Sequence, residues 1–112
     1  MEKLLKADAT CNFSHNGVYI EVCVGENPCV LINREVLKLQ PGVYKLLAHL
    51  AKNADRPCRR TELLCVIERR PGSADRSPNL LDVTMCKLRS ALRAEGVEGF
   101  IATVPGGYQI VL

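Results

Sequence analysis

Ser77-Pro-Asn-Leu-Leu-Asp-Val-Thr-Met-Cys-Lys-Leu-Arg-Ser-Ala-Leu-Arg-Ala-Glu-Gly96 is the stretch on which the fold turns. Ser77 is a good N-cap, and Pro78 has the fixed φ and missing N–H that suit a first helical position. Gly96 supplies a left-handed stop. Between them Leu81, Met85, Leu88 and Leu92 recur at i, i+4, i+7 and i+11, which puts them on one face of a helix. The spacing predicts an amphipathic helix over about 78–95. Its opposite face carries Asn79, Val83, Cys86, Lys87 and Ser90. A solvated face normally holds several charges, whereas this one holds a single lysine around an unburied valine. Such a surface suits a DNA major groove, where an apolar side chain meets thymine methyls and Asn, Lys and Ser bond base edges or phosphates. It also suits packing on another protein. Asp82 and Arg89 lie at the edge of the buried stripe, where they can pair with each other or brace the helix, and Arg89 can still reach a phosphate.

Downstream of this helix, Phe100-Ile-Ala-Thr-Val104 and Tyr108-Gln-Ile-Val-Leu112 flank Pro105-Gly106-Gly107, the pattern of a β-hairpin. The Gly106 and Gly107 amides and the Thr103 and Tyr108 hydroxyls are candidate phosphate contacts at its tip, and Tyr108 suits a core position equally well. Upstream, the polar loop Arg70–Ser77 follows a short helix expected over about 60–67, with Leu63, Leu64 and Ile67 inward. Arg59 and Arg60 open that helix, where the helix dipole and unpaired N–H groups favour a phosphate. The alternative pairs one of them with Glu62 or Asp82. A longer helix starts at Pro41, with Val43, Leu46, Leu47 and Leu50 inward, and ends at Asn53-Ala-Asp-Arg-Pro57. Before it, Val18–Val24, Val30–Ile32 and Val36–Leu39 read as strands, the last two around a short loop Asn33-Arg34-Glu35, with one more strand near Phe13. The order is sheet, three helices, hairpin: an α+β chain with a helix-turn-helix and a wing.

At 112 residues the chain is expected to be a single domain with a core of its own, residues 1–10 forming a linker or loose terminus. With three Tyr, two Phe and no Trp, that core must be aliphatic. Net charge is +3, and the excess is lopsided: residues 56–112 carry nine basic side chains, eight of them arginine, against six acidic ones. Arginine suits bidentate contact with phosphate and guanine. The six cysteines, Cys11, Cys23, Cys29, Cys58, Cys65 and Cys86, show no CxxC-type spacing, so no zinc or other metal site is expected. No apolar leader or membrane-length run accompanies them. They fit reduced thiols in a cytoplasmic protein, used as small hydrophobes. His15 and His49 have no nucleophile or carboxylate at a recognisable spacing, and no phosphate-binding glycine loop is present. Neither catalysis nor a cofactor is expected.

Four segments together resemble the winged-helix output domains of the OmpR/PhoB class of response regulators. Leu39-Gln-Pro-Gly-Val-Tyr-Lys-Leu-Leu47 is similar to the start of that family's first helix, and Arg60-Thr-Glu-Leu-Leu64 to its second. Leu81–Leu92 is similar to its recognition helix and Ile101-Ala-Thr-Val-Pro-Gly-Gly-Tyr108 to its wing. The resemblance spans about residues 13–112. It implies a four-stranded N-terminal antiparallel sheet and transcriptional regulation through double-stranded DNA. Two copies would bind repeated promoter half-sites as a homodimer, within a two-component system. Recognition-helix contacts would fall on Val83, Thr84, Cys86, Lys87 and Arg89, and wing contacts on Thr103 and Tyr108. The loop of residues 69–77 would face RNA polymerase. The chain departs from the pattern at Pro105, where the wing usually carries Arg, and its turn is one residue shorter. It also departs at Cys86 and Asn79, where basic residues are common, and at Arg59, where a capping Ser is usual. A receiver domain normally precedes such a module, so this one is expected to be the output half of a longer regulator, typical or atypical, or to act alone. A winged-helix module that binds protein instead of DNA is the alternative.

Overall fold

The computed structural model describes residues 9–25, 28–67 and 79–111. Four strands open it: β1 (Ala9–His15), β2 (Val18–Val24), β3 (Cys29–Ile32) and β4 (Glu35–Leu37). They form one antiparallel sheet in the order β1-β2-β3-β4. Two tight turns set its register. Asn16 and Gly17 join β1 to β2 with φ of 51° and 82°, and Asn33 and Arg34 join β3 to β4 with φ of 51° and 70°. Positive φ at both central residues matches the right-handed twist of the flanking strands. The second turn is thus one residue shorter than the expected loop. Glu35 pairs with Ile32, and the strand ends at Leu37 instead of Leu39.

Alternation along β2 and β3 buries Ile20, Val22, Val30 and Ile32. These meet α1 (Pro41–Lys52), which begins on proline as expected. Val43, Leu46, Leu47 and Leu50 are all buried, confirming the helical period. The helix stops at Asn53, whose side-chain amide donates to the His49 carbonyl at 2.9 Å.

The next element, β5 (Cys58–Arg59), was not anticipated, because two residues carry no alternation signal. α2 (Arg60–Ile67) follows, then α3 (Leu80–Ala94), β6 (Ile101–Val104) and β7 (Gly107–Ile110). On α3, Leu81, Met85, Leu88 and Leu92 are all buried. Its described N-cap is Asn79; Ser77 and Pro78, like the loop of residues 69–77, lie outside the described residues. At its far end Gly96 takes φ +83°, and the Val97 N–H donates to the Leu92 carbonyl at 2.9 Å. That bond closes the helix while Val97 enters the core. Phe100, packed edge-on to Phe13 with ring centroids 5.4 Å apart, ties β1 to the segment after α3.

β5, β7 and β6 make a second antiparallel sheet in that order. The wing turn is Pro105-Gly106: the proline ring fixes φ near about −65° and Gly106 takes φ +80°, as a type II turn requires. Gly107 is the first residue of β7, not part of the turn. A side chain there would strike the Cys58 carbonyl and the Arg59 Cα. Gly107→Ala is therefore expected to cost about 1–3 kcal/mol, seen as a lower urea midpoint. Gly42→Ala has open space around it and is expected to gain up to about 1 kcal/mol. A Gly107→Ala protein as stable as the parent would contradict the close β5–β7 pairing.

Candidate nucleic-acid interface

Burial along α3 separates two faces. Asn79, Val83, Cys86, Lys87 and Ser90 are exposed, with Val83 at 48%. Leaving a valine this open forgoes about 1–2 kcal/mol of burial, so the residue has no evident role in holding the fold. Thr84 does not join this face. Seven per cent exposed, it donates its hydroxyl to the Leu80 carbonyl at 2.8 Å. At 100° per residue it falls beside Leu81 and Leu88, so the contact role that the resemblance implied for it is withdrawn.

Two arginines assigned to phosphates are engaged inside the protein. Arg60 donates to Asp82 on α3 at 3.0 Å and to the Tyr108 hydroxyl at 3.4 Å. Arg89 donates to the Ile101 carbonyl at 2.9 Å and the Thr103 hydroxyl at 3.1 Å, and its guanidinium lies 5.4 Å from the centre of the Tyr108 ring. Asp82 and Arg89 brace the helix, but against different partners and not against each other. Tyr108 is buried at the base of the wing, where its ring serves as a core aromatic, and its hydroxyl faces Arg60. Thr103 remains exposed at the wing edge. Between α3 and β7 lies an open groove of about 330 Å³, lined by Asp82, Met85, Cys86, Arg89, Ser90, Arg93 and Tyr108. Arg93 was absent from the expected contact set. Its side chain is 65% exposed, with a 3.5 Å contact to Glu98. Its position seven residues after Cys86 and three after Ser90 was the available signal.

The start of α2 is likewise occupied. The Arg59 N–H donates to the Glu62 carboxylate at 3.3 Å, half of a capping box. The Arg60 N–H donates to the Gly106 carbonyl at 3.0 Å. Gly106 therefore gives its carbonyl to the fold. Of the helix-2 pair, Arg59 keeps an exposed side chain.

Glu62 is the centre of a cluster that sequence spacing did not reveal. His49 of α1 meets it at 2.5 Å, and Arg56 holds both carboxylate oxygens at 2.6 and 3.1 Å. The Cys58 thiol completes a group whose His, Cys and Glu ligand atoms lie within 4.8 Å of one another. Arg56 already neutralises Glu62, so the arrangement is a latch between α1, the 53–57 loop and α2 more than a cation site. Burial is the first cause that pushes the Cys58 thiol up, followed by the Glu62 charge.

The model for the C-terminal domain of transcriptional regulatory proteins matches residues 33–110. The chain belongs to this family. It is a winged-helix DNA-binding module of the response-regulator class, and not an enzyme. No curated protein matches the sequence. Among solved structures, the DNA-binding domain of the response regulator AdeR, in complex with an intercistronic region, is 24% identical with a TM-score of 0.63; the alignment covers 73% of this chain and 83% of that one. The Klebsiella pneumoniae RstA DNA-binding domain bound to the RstA box is 24% identical with a TM-score of 0.64, covering 89% and 96%. At that identity both speak to the fold. A redox sensor of the streptococci, from a family evolved from two-component response regulators, is 30% identical with a TM-score of 0.60; the alignment covers 74% of this chain and 35% of that one. Among the described residues no helix is long and apolar enough to cross a membrane.

The latch makes a pH prediction. Hydrogen bonds from Arg56, then from His49, hold the Glu62 carboxyl down at about 2 from its usual 4.5. A carboxylate depressed on folding contributes stability above its unfolded value and loses it as pH falls towards the folded one. The urea midpoint of the regulator domain should fall between about pH 5 and about pH 2, and that of Glu62→Gln should fall less over the same range. Parallel curves would contradict the latch.

Proposed function

We propose that the domain recognises promoter DNA sequence-specifically by laying the outer face of α3 in the major groove. The exposed Val83, flanked by Cys86, Lys87 and Ser90 on a face whose bordering carboxylate, Asp82, is paired with Arg60, carries this reading. Val83 would meet a thymine methyl, Ser90 and Asn79 would bond base edges or phosphates, and Lys87 would reach a phosphate or a guanine. Arg59, Arg93 and Thr103 would hold the backbone on either side. Pro105 at the wing tip brings no cation for the minor groove, so the wing would contact phosphate only.

Two copies on direct repeats would supply the affinity that one copy lacks. With about 3–4 phosphates neutralised per copy, log K should fall with log salt at a slope of about −3 per copy, which is modest. Two linked sites raise avidity without new contacts. A homodimer on DNA, a cytoplasmic location and an approach to RNA polymerase through the loop of residues 69–77 complete the proposal. The family membership and the DNA complexes of AdeR and RstA support it over the protein-binding alternative.

A mobility-shift titration against a duplex selected from a random pool tests the proposal. Lys87→Ala should reduce the salt slope by about 1 if it meets a phosphate and relax sequence preference if it meets a guanine. Val83→Asp should weaken the selected duplex about 10-fold to 100-fold. If both substitutions leave DNA binding unchanged while a protein partner is lost, the protein-binding alternative is correct.

A further inference from the structure

Cys23 and Cys29 face each other directly across the β2–β3 pairing. The Asn33 N–H donates to the Tyr19 carbonyl at 2.7 Å, so Tyr19 and Asn33 form a hydrogen-bonded pair. Alternation along the unbroken register makes Cys23–Cys29 another such pair. Opposed Cα atoms at these positions lie about 5.5 Å apart, inside the span that a disulfide bridges. Both side chains point to the face opposite Val22 and Val30, away from the core, and both are partly exposed. On its other side Cys23 is approached by the Thr10 hydroxyl, 4.0 Å from its sulfur. Burial pushes the Cys29 thiol up first, and the neighbouring Cys23 side chain pushes it up next, in keeping with their opposed places in the register. The strand is also fastened at this point, because the Tyr44 hydroxyl of α1 donates to the Cys23 carbonyl at 2.6 Å. The other cysteines lack such a partner in the register: Cys11 lies opposite Val22, Cys58 is buried opposite Tyr108, and Cys65 and Cys86 are exposed on separate helices.

We propose that Cys23 and Cys29 form a reversible dithiol–disulfide site on the outer face of the four-stranded sheet, oxidised by a small disulfide of the glutathione type. One protein thiolate attacks the sulfur–sulfur bond of the oxidant and releases a first glutathione thiolate, leaving a mixed disulfide. The second protein thiol loses its proton and attacks the protein sulfur of that mixed disulfide, releasing the second glutathione. Two protein S–H bonds and one glutathione S–S bond become one protein S–S bond and two glutathione thiols. The paired register makes the second step intramolecular, so the mixed disulfide does not accumulate. The product closes a ring over residues 23–29 and pins the end of the β2–β3 hairpin beside Tyr44. The site stands on the sheet register and is independent of how α3 meets DNA.

The test incubates the native chain with glutathione disulfide, quenches in acid, alkylates the remaining thiols and cleaves after glutamate. Cleavage after Glu26 separates Cys23 from Cys29, so only a disulfide keeps the two peptides together. The linked peptides should be the main product, and dithiothreitol should return both cysteines to the alkylated form. Cys23→Ser should leave glutathione attached to Cys29, and Cys29→Ser should leave it on Cys23. The proposal is overturned if both cysteines stay fully alkylated. It is equally overturned if glutathione remains on either in the parent chain, or if Cys11 replaces one of them in the linked product.

Discussion

The ring of Tyr108 sits between two guanidinium groups, with Arg89 of α3 against its face and Arg60 of α2 at its hydroxyl. A partly buried cation–π contact of this kind is worth about 0.5–2 kcal/mol. Its larger consequence is geometric. Tyr108 belongs to β7, and β7 pairs on one side with β6 and on the other with β5, which leads straight into α2. One side chain therefore links the wing to both α2 and α3. Asp82 closes the circuit by drawing Arg60 onto α3. Without this junction the outer face of α3 and the wing edge at Thr103 would not be presented as one surface.

The same junction limits the charge available for DNA. Arg60 and Arg89 serve the fold, and Arg56 serves Glu62. What faces outward on α3 is Lys87, with Arg93 one turn beyond Ser90. An α3 face so sparing in cations adds little non-specific grip of its own, because that grip comes from phosphate neutralisation. In the proposed complex, discrimination would rest on the shape and apolar contact of Val83 and its neighbours, and affinity on a second copy.

Much of the architecture was legible in the sequence. The stripes of α1 and α3 follow a 3.6-residue period, and every residue assigned inward on them is buried. The left-handed Gly96 was marked by residue type. What escaped has a common cause. β5 is too short to show alternation, and the bond between His49 and Glu62 joins residues that the chain brings together only by folding. Arginine count was likewise a poor guide to the interface, because a guanidinium that braces a wing looks in sequence like one that binds phosphate. The resemblance implied a contact role for Thr84, which is buried and bonded to the Leu80 carbonyl.

In the proposed complex α3 meets DNA with its outer face while the Tyr108 junction holds the wing beside it. Amide chemical-shift mapping of the domain titrated with a selected operator duplex tests it most directly. Shifts are expected to concentrate at Val83, Cys86, Lys87, Ser90 and Thr103, with the β1–β4 sheet undisturbed. Shifts confined to that sheet, with the α3 amides unmoved, would contradict it.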